Sequence, residues 1–189
     1  MNTTDDDVKV INAIKECKTA GIRMFAIDFD MTFIDIHTHG SWSDDHELLS
    51  EHIRPLFRLL VRELLSNGLI LSIVTFSPQV DLIKDLLQFC FRDHVRLGEN
   101  TFVCGALPTH IGKDEHIRSV CDQYAATDKG TSLMPREVLL IDDDWFNIRT
   151  GRRSGVTSIL FSTDEGAQER KLLCEIQEIS QYMNIYVKK

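Results

Sequence analysis

This sequence has too little of several things to belong to whole classes of protein. Its 21 lysines and arginines face 29 aspartates and glutamates, a net charge of −8, so it has no basic face of the kind that nucleic-acid binding needs. No apolar run approaches the ~18 residues that a membrane-spanning helix requires. Cysteine is sparse: Cys17, Cys90, Cys104, Cys121 and Cys174 are odd in number, scattered and free of any C-x-x-C pair. That excludes a disulfide framework and reads as reduced thiols, mostly small core hydrophobes of an intracellular chain. The first seven residues, Met1 to Asp7, are polar and acidic, the opposite of a secretory or transit signal. Internal repeats and low-complexity linkers are missing as well. What these absences leave is a soluble, cytoplasmic chain whose 189 residues form one domain with a sizeable core.

What is present alternates between two patterns. Short apolar runs at Arg23–Ile27, Leu69–Val74, Thr101–Cys104, Glu137–Ile141 and Thr157–Phe161 read as buried strands. Between them lie helical stretches. The first runs from a cap at Thr4 or Asp5 to about Ala20, and Gly21 stops it. A second starts at Pro55 and ends at Asn67-Gly68. A third opens at Ser77-Pro78 and continues to about Phe91, a fourth spans Asp114–Tyr124, and a short one follows Asp144, with Gly151 and Gly155 breaking the chain before the fifth strand. Glu165 to about Gln181 closes the chain as an amphipathic helix. Thr127–Pro135 is a polar loop. Strands alternating with helices give an α/β fold, a doubly wound three-layer α/β/α sandwich around a central parallel sheet. Residues 33–50 are expected to form a flap over one sheet edge, with a small β-hairpin in its first part.

Polar chemistry collects where the strands end. Asp28 and Asp30 follow the first strand, Thr75 the second, Asp142 and Asp143 the fourth, and Lys113 lies beyond the third. In a parallel sheet these carboxyl ends share one edge, where such folds bind ligands. If the chain stays extended past Ile27, Asp28 and Asp30 point to the same face, and like charges so placed repel unless a cation or a proton lies between them. Each group alone has an ordinary reading: an Asp-rich turn, a strand-end hydroxyl, a solvated lysine, a helix cap. Their joint occurrence in this order does not.

The order Asp28-x-Asp30-x-Thr32, then Thr75, then Lys113, then Asp142-Asp143 resembles the haloacid dehalogenase superfamily from about Arg23 to Phe161. The segment from Leu140 through Asn147, followed by Ser154–Ile159, is most similar to its small magnesium-dependent phosphatases. The resemblance implies a HAD-like Rossmannoid fold and an Mg²⁺-dependent phosphomonoester hydrolase. Asp28 would be the nucleophile that forms an aspartyl-phosphate, and Asp30 the general acid and then the base. Thr32, Thr75, Phe76 and Lys113 would bind the phosphate. Mg²⁺ would be held by Asp28, Asp142, Asp143 and the backbone carbonyl of Asp30. Met31 departs from the small residue most members carry there. Asp30 argues against true dehalogenases and cation-pumping ATPases.

The chemistry asks for such a set on its own account. Phosphate-monoester hydrolysis requires accelerations of up to ~10²¹, and covalent catalysis divides the step in two. A hard, oxygen-seeking cation relieves clustered carboxylates and screens the phosphate from an anionic nucleophile.

The gaps from Asp30 to Thr75 and from Thr75 to Lys113 are too short for a large cap domain. The site is therefore open to large substrates such as phosphoproteins, or covered by the flap and a homo-oligomer partner. His37, His39 and Trp42 are the flap's candidates for contacts beyond the phosphate; the alternative is that Trp42 anchors the flap and the histidines are solvated. Two further readings stay on the table. A phospho-receiver domain would place its acidic pair ahead of the phosphorylated Asp, which Asp142 and Asp143 oppose. A phosphate-binding module that kept the fold but lost turnover is the other.

Overall fold

Five apolar segments of four or five residues pair into one parallel sheet: β1 (Met24–Ile27), β2 (Ile70–Val74), β3 (Thr101–Cys104), β4 (Val138–Asp142) and β5 (Thr157–Leu160). Their order is β3–β2–β1–β4–β5, with β1 at the centre. Phe25 is in register with Leu71 on one side and Leu139 on the other. The computed structural model describes residues 5–107, 112–128, 130–162 and 171–179.

Residues one apart in a strand face opposite sides, and the core divides accordingly. Phe25, Ile27, Leu71, Ile73, Leu139 and Ile141 pack on one face. They meet α1 (Asp5–Thr19), α3 (Pro55–Ser66), α4 (Val80–Phe91) and α8 (171–179) through residues such as Ile14, Phe57, Leu86 and Ile176. Met24, Ala26, Ile70, Val74, Val138 and Leu140 face the other side, against Val120 of α6 (Asp114–Ala125) and Ile148 of α7 (Trp145–Arg153). Each such side chain contributes about 1.5–3 kcal/mol on burial, and the continuous runs that mark the strands are the reason both layers hold. The expected α/β/α architecture is therefore the observed one.

Three details differ from expectation. The flap contains no β-hairpin: Ile34 makes a single antiparallel bridge to Ile53, residues 35–45 are irregular, and α2 (His46–Ser50) follows. Side-chain bonds, described below, hold this segment in place of a ladder. The third long helix starts at Val80 rather than Ser77-Pro78, because Ser77 Oγ accepts from the Gln79 N–H (3.2 Å) and makes those residues a turn. Glu137 belongs to a short 3₁₀ turn, Pro135–Glu137, ahead of β4. Two helices went unforeseen, α2 and α5 (Leu97–Asn100), each too short to show a periodicity. Of the closing helix expected over Glu165–Gln181, residues 171–179 are helical and the remainder lies outside the described residues. Among the described residues no helix is long and apolar enough to cross a membrane.

Candidate active site

The centre of the site is built by the end of β1. Asp28 is buried, and its N–H donates to Ile141 of β4 (2.9 Å), so the backbone is still paired to the sheet there. The chain then turns sharply. Asp30 is extended (φ −68°, ψ 137°), but Met31 has φ 62°, a left-handed conformation that is costly for a residue with a Cβ. Arg54 braces the strained turn: its guanidinium donates to the carbonyls of Thr32 (3.1 Å) and Met31 (3.0 Å) and lies over the Phe161 ring. The extended continuation that would have put Asp28 and Asp30 on one face does not occur. Asp28 turns toward β4, and Asp30 turns toward the flap.

Asp142 closes β4 and is buried, and Asp143 follows half-buried. Asp28, Asp142 and Asp143 can each offer an oxygen such that all three lie within 4.8 Å of one another. The positions of the β4 carboxylates are fixed by neighbours. Asn147 Nδ2 donates to both oxygens of Asp142 (3.0 and 3.1 Å), and the Asp144 N–H donates to Oδ1 (2.8 Å). Thr32 Oγ1 accepts from the Asp143 N–H (3.1 Å) and donates to Asp143 Oδ1 (3.2 Å). Asp144 caps α7 by accepting from Phe146.

Lys113, at the start of α6, is completely buried. Its Nζ donates to Asp28 Oδ1 (2.7 Å) and to the Val74 carbonyl (2.8 Å), and it sits 4.1 Å from the centroid of the Phe76 ring. Thr75 is buried beside it, and Thr75 Oγ1 accepts from the Ser77 N–H (3.0 Å), so the hydroxyl hydrogen remains available for donation. His116, one turn along α6, is buried with its ring edge-on to Phe76. Burial, and then the Lys113 charge, hold its pKa below the ordinary value.

Three carboxylates against one buried ammonium leave an excess of negative charge. Burial pushes the Asp28 carboxyl up to about 6 even though Lys113 pulls it down. Burial, and then the Asp28 charge, push Asp142 up to about 8. Burial raises Asp143 too, against the bond from Thr32. Desolvation wins at each one. Clustered hard oxygen donors whose joint ionisation needs a compensating charge suit a small divalent cation such as Mg²⁺, so the residues present fit the ion.

The flap forms the other wall. Thr38 donates to Asp30 Oδ1 through both its N–H and its hydroxyl (2.8 Å each). His37 and His39 stack with ring centroids 4.3 Å apart, and His37 Nδ1 lies 3.7 Å from Asp30 Oδ2. Trp42 packs against the main core, and its indole N–H donates to the Asp45 carbonyl (3.1 Å). Trp42 is thus held against the core. The peptide groups of Trp42 exchange two hydrogen bonds with the Gln79 side chain (2.8 and 2.9 Å). At Gly40 (φ +65°) an added Cβ would stand 2.8 Å from Pro78 Cδ, so the flap touches the loop after β2.

The structure thus brings Asp28, Asp142, Asp143, Thr32 and Lys113 together, with Thr75 and Phe76 beside Lys113, and sets the Asp30 carboxylate apart on the flap side. Sequence reasoning missed Thr38, Arg54, Gln79, His116 and any role for Asn147. Only Asn147 carried a signal, an amide five residues beyond Asp142 at the spacing that faces a helix back onto a strand end.

No protein-family model and no curated protein sequence matches this chain. Solved structures do. The N-terminal part of BF1531 from Bacteroides fragilis, containing a phosphatase domain complexed with Mg, superposes with a TM-score of 0.57 at 16% identity. That match covers 90% of this chain and 43% of the other, so this chain spans less than half of that protein's solved part. The HAD domain of the effector protein Lem4 from Legionella pneumophila, solved as an inactive mutant, superposes at 0.51 with 15% identity, covering 89% and 99%. A second structure of that domain gives 0.50, with 15% identity and coverage of 86% and 97%. At such identities the likeness establishes the fold, a HAD-like Rossmannoid core over most of the chain.

Proposed function

We propose that this chain, which has the haloacid dehalogenase fold, is an Mg²⁺-dependent phosphomonoester hydrolase with Asp28 as its nucleophile. The observation that carries the reading is the setting of Asp28: at the carboxyl end of the central strand, 2.7 Å from a fully buried lysine, with two more carboxylates within 4.8 Å. Asp28, Asp142, Asp143 and the Asp30 carbonyl would hold the ion, which when bound would supply charge stabilisation to the phosphoryl oxygens. The chain's own groups do the rest. An Asp28 oxygen attacks phosphorus as the bond to the leaving oxygen breaks, and Asp30 gives that oxygen its proton. Lys113 and Thr75 steady the charge on the transferring group, with the Thr32 and Phe76 backbone beside them. Asp30 then takes a proton from water as its oxygen attacks phosphorus, releasing phosphate and restoring Asp28. The five free cysteines fit a reducing, cytoplasmic setting.

Among the described residues no cap domain covers the site between β1 and β2, and exposed Phe76, Trp145 and Phe146 lie just beyond the strand-end polar groups. That favours phosphoprotein substrates as a second reading over small phosphate esters. The deciding experiment is hydrolysis of 4-nitrophenyl phosphate by the wild type with Mg²⁺, the wild type with chelator, and Asp28→Asn with Mg²⁺. Turnover confined to the first arm is the expected result. Turnover that survives in Asp28→Asn sinks the mechanism, and no turnover in any arm, with Mg²⁺ bound, moves the reading to a binding module or to a site that accepts only a specific substrate.

A further inference from the structure

We propose that Thr38 is the positioning residue of the general acid, and that it fixes Oδ2 of Asp30 as the oxygen that carries the transferred proton; this rests on the hydrolase reading above. The Asp30 carboxylate is asymmetric. Oδ1 accepts two hydrogen bonds of 2.8 Å, from the Thr38 N–H and the Thr38 hydroxyl. The direction of the hydroxyl is set, because Thr38 Oγ1 also accepts from the Gly40 N–H (3.3 Å) and so must spend its own hydrogen on Asp30. A proton on Oδ1 would point at two donors, which is unfavourable, so the acid form carries its hydrogen on Oδ2. That oxygen takes no bond of ordinary length from the flap. His37 Nδ1 is 3.7 Å away, beyond hydrogen-bond reach, and already accepts from the His39 N–H (3.0 Å). Oδ2 is therefore the oxygen left to meet the leaving group.

Thr38 can hold this orientation because it is itself held. It is buried, and its carbonyl accepts from the Ser41 N–H (3.1 Å), closing a turn through His39 (φ 54°) and Gly40. The exchange between Trp42 and Gln79 and the contact of Gly40 with Pro78 fix that turn to the loop after β2, the loop that starts at Thr75. In the first step the proton passes from Asp30 Oδ2 to the leaving oxygen as the P–O bond breaks and the Asp28–phosphorus bond forms. In the second, the same oxygen takes the proton from water.

The test reads the dependence on leaving group. kcat/KM covers the chain of events through the first irreversible step, so it senses protonation of the leaving oxygen and not the later attack by water. It is measured for wild type, Thr38→Val and Thr38→Ser over 2,4-dinitrophenyl, 4-nitrophenyl and phenyl phosphate. Valine keeps the shape and the backbone donor but loses the hydroxyl. General acids contribute about 10²–10⁴-fold, so Thr38→Val should lose about 10- to 100-fold on phenyl phosphate, whose leaving group needs the proton, and less than about twofold on the dinitrophenyl ester. Thr38→Ser should follow the wild type throughout. Thr38→Ala must show the same steepening, which guards against a folding defect peculiar to valine. In the Asp30→Asn background Thr38→Val should add no further loss. An equal loss on all three esters, or a further loss in the Asp30→Asn background, overturns the inference and leaves the hydrolase reading standing. A wild type that turns over none of the esters overturns the small-ester hydrolase reading and this inference with it.

Discussion

The two walls of the site are made by different means. On the sheet side, Asp28, Thr75 and Asp142 stand at the ends of buried strands, and Lys113 lies fully enclosed among them. Their positions follow from strand register, which the apolar runs determine. On the flap side, residues 35–45 have no ladder and little core. Thr38 and Trp42 are placed by hydrogen bonds to Asp30 and Gln79, and Gly40 by its close approach to Pro78. A wall set by register is rigid because moving one of its groups means moving a strand. A wall set by individual hydrogen bonds can be loosened one bond at a time. On the proposed hydrolase reading, phosphate binding would be tied to global stability, while treatment of the leaving group would be open to local change.

Breaking the sheet wall should have the largest effect. Lys113→Met removes the one ammonium among three carboxylates, and kcat/KM on 4-nitrophenyl phosphate should fall by about 10²–10³-fold or more. Lys113→Arg should not restore it, since the site is fully enclosed. A rate within threefold of wild type for either variant would contradict the role given to this lysine.

A second effect concerns the metal-free protein. Asp28 and Asp142 hold pKa values of about 6 and about 8, above the ordinary 3.8. The folded state therefore binds more protons than the unfolded chain between about pH 4 and pH 8, and stability falls as pH rises through that window. Thermal melting with chelator should show Tm dropping by several degrees from pH 5 to pH 8, and Mg²⁺ should flatten the slope. A Tm that rises over this range with chelator present would refute the raised values.

Asn147→Ala leaves the carboxylates in place but removes both amide bonds to Asp142. Loss of a group that orients a metal ligand weakens metal affinity by about 10–100-fold, to be read by titration calorimetry with Mg²⁺. The smallest effect should come from the flap. Gly40→Ala meets Pro78 and an unfavourable φ, so Tm should fall by only a few degrees, a cost of about 1–2 kcal/mol. Mg²⁺ affinity should not change, which would mark the two walls as separable. A Gly40→Ala variant that loses Mg²⁺ binding would show that they are not.

The same contrast explains what could be read from the sequence. Each strand declared itself by a short apolar run, and each strand-end polar group by its position after that run, so the sheet and its carboxylates were legible. The turn after β1 was not: nothing in the chain announced that the extended run would break between Asp28 and Asp30, or that Met31 would be left-handed. Nor was Thr38, an ordinary threonine whose importance is a distance to a residue eight positions back. Arg54 sits before a helix-starting proline, where its sequence context says helix boundary and not brace for a strained turn. Gln79 and His116 act through contacts across the fold. Side chains whose role depends on a partner from another element leave no periodic trace.

The strand order has one more consequence, for how the protein comes into being. β1 sits between β2, which follows it closely, and β4, which comes more than a hundred residues later. A ribosome would deliver β1, β2 and β3 as a three-stranded half with Asp28 and Thr75 in place, but without Lys113, Asp142 or Asp143. That half would present the unpaired edge of β1, which becomes central only in the finished sheet, until β4 arrived. The acidic cluster therefore has no early, partial form: it is completed by the same strand addition that seals the sheet.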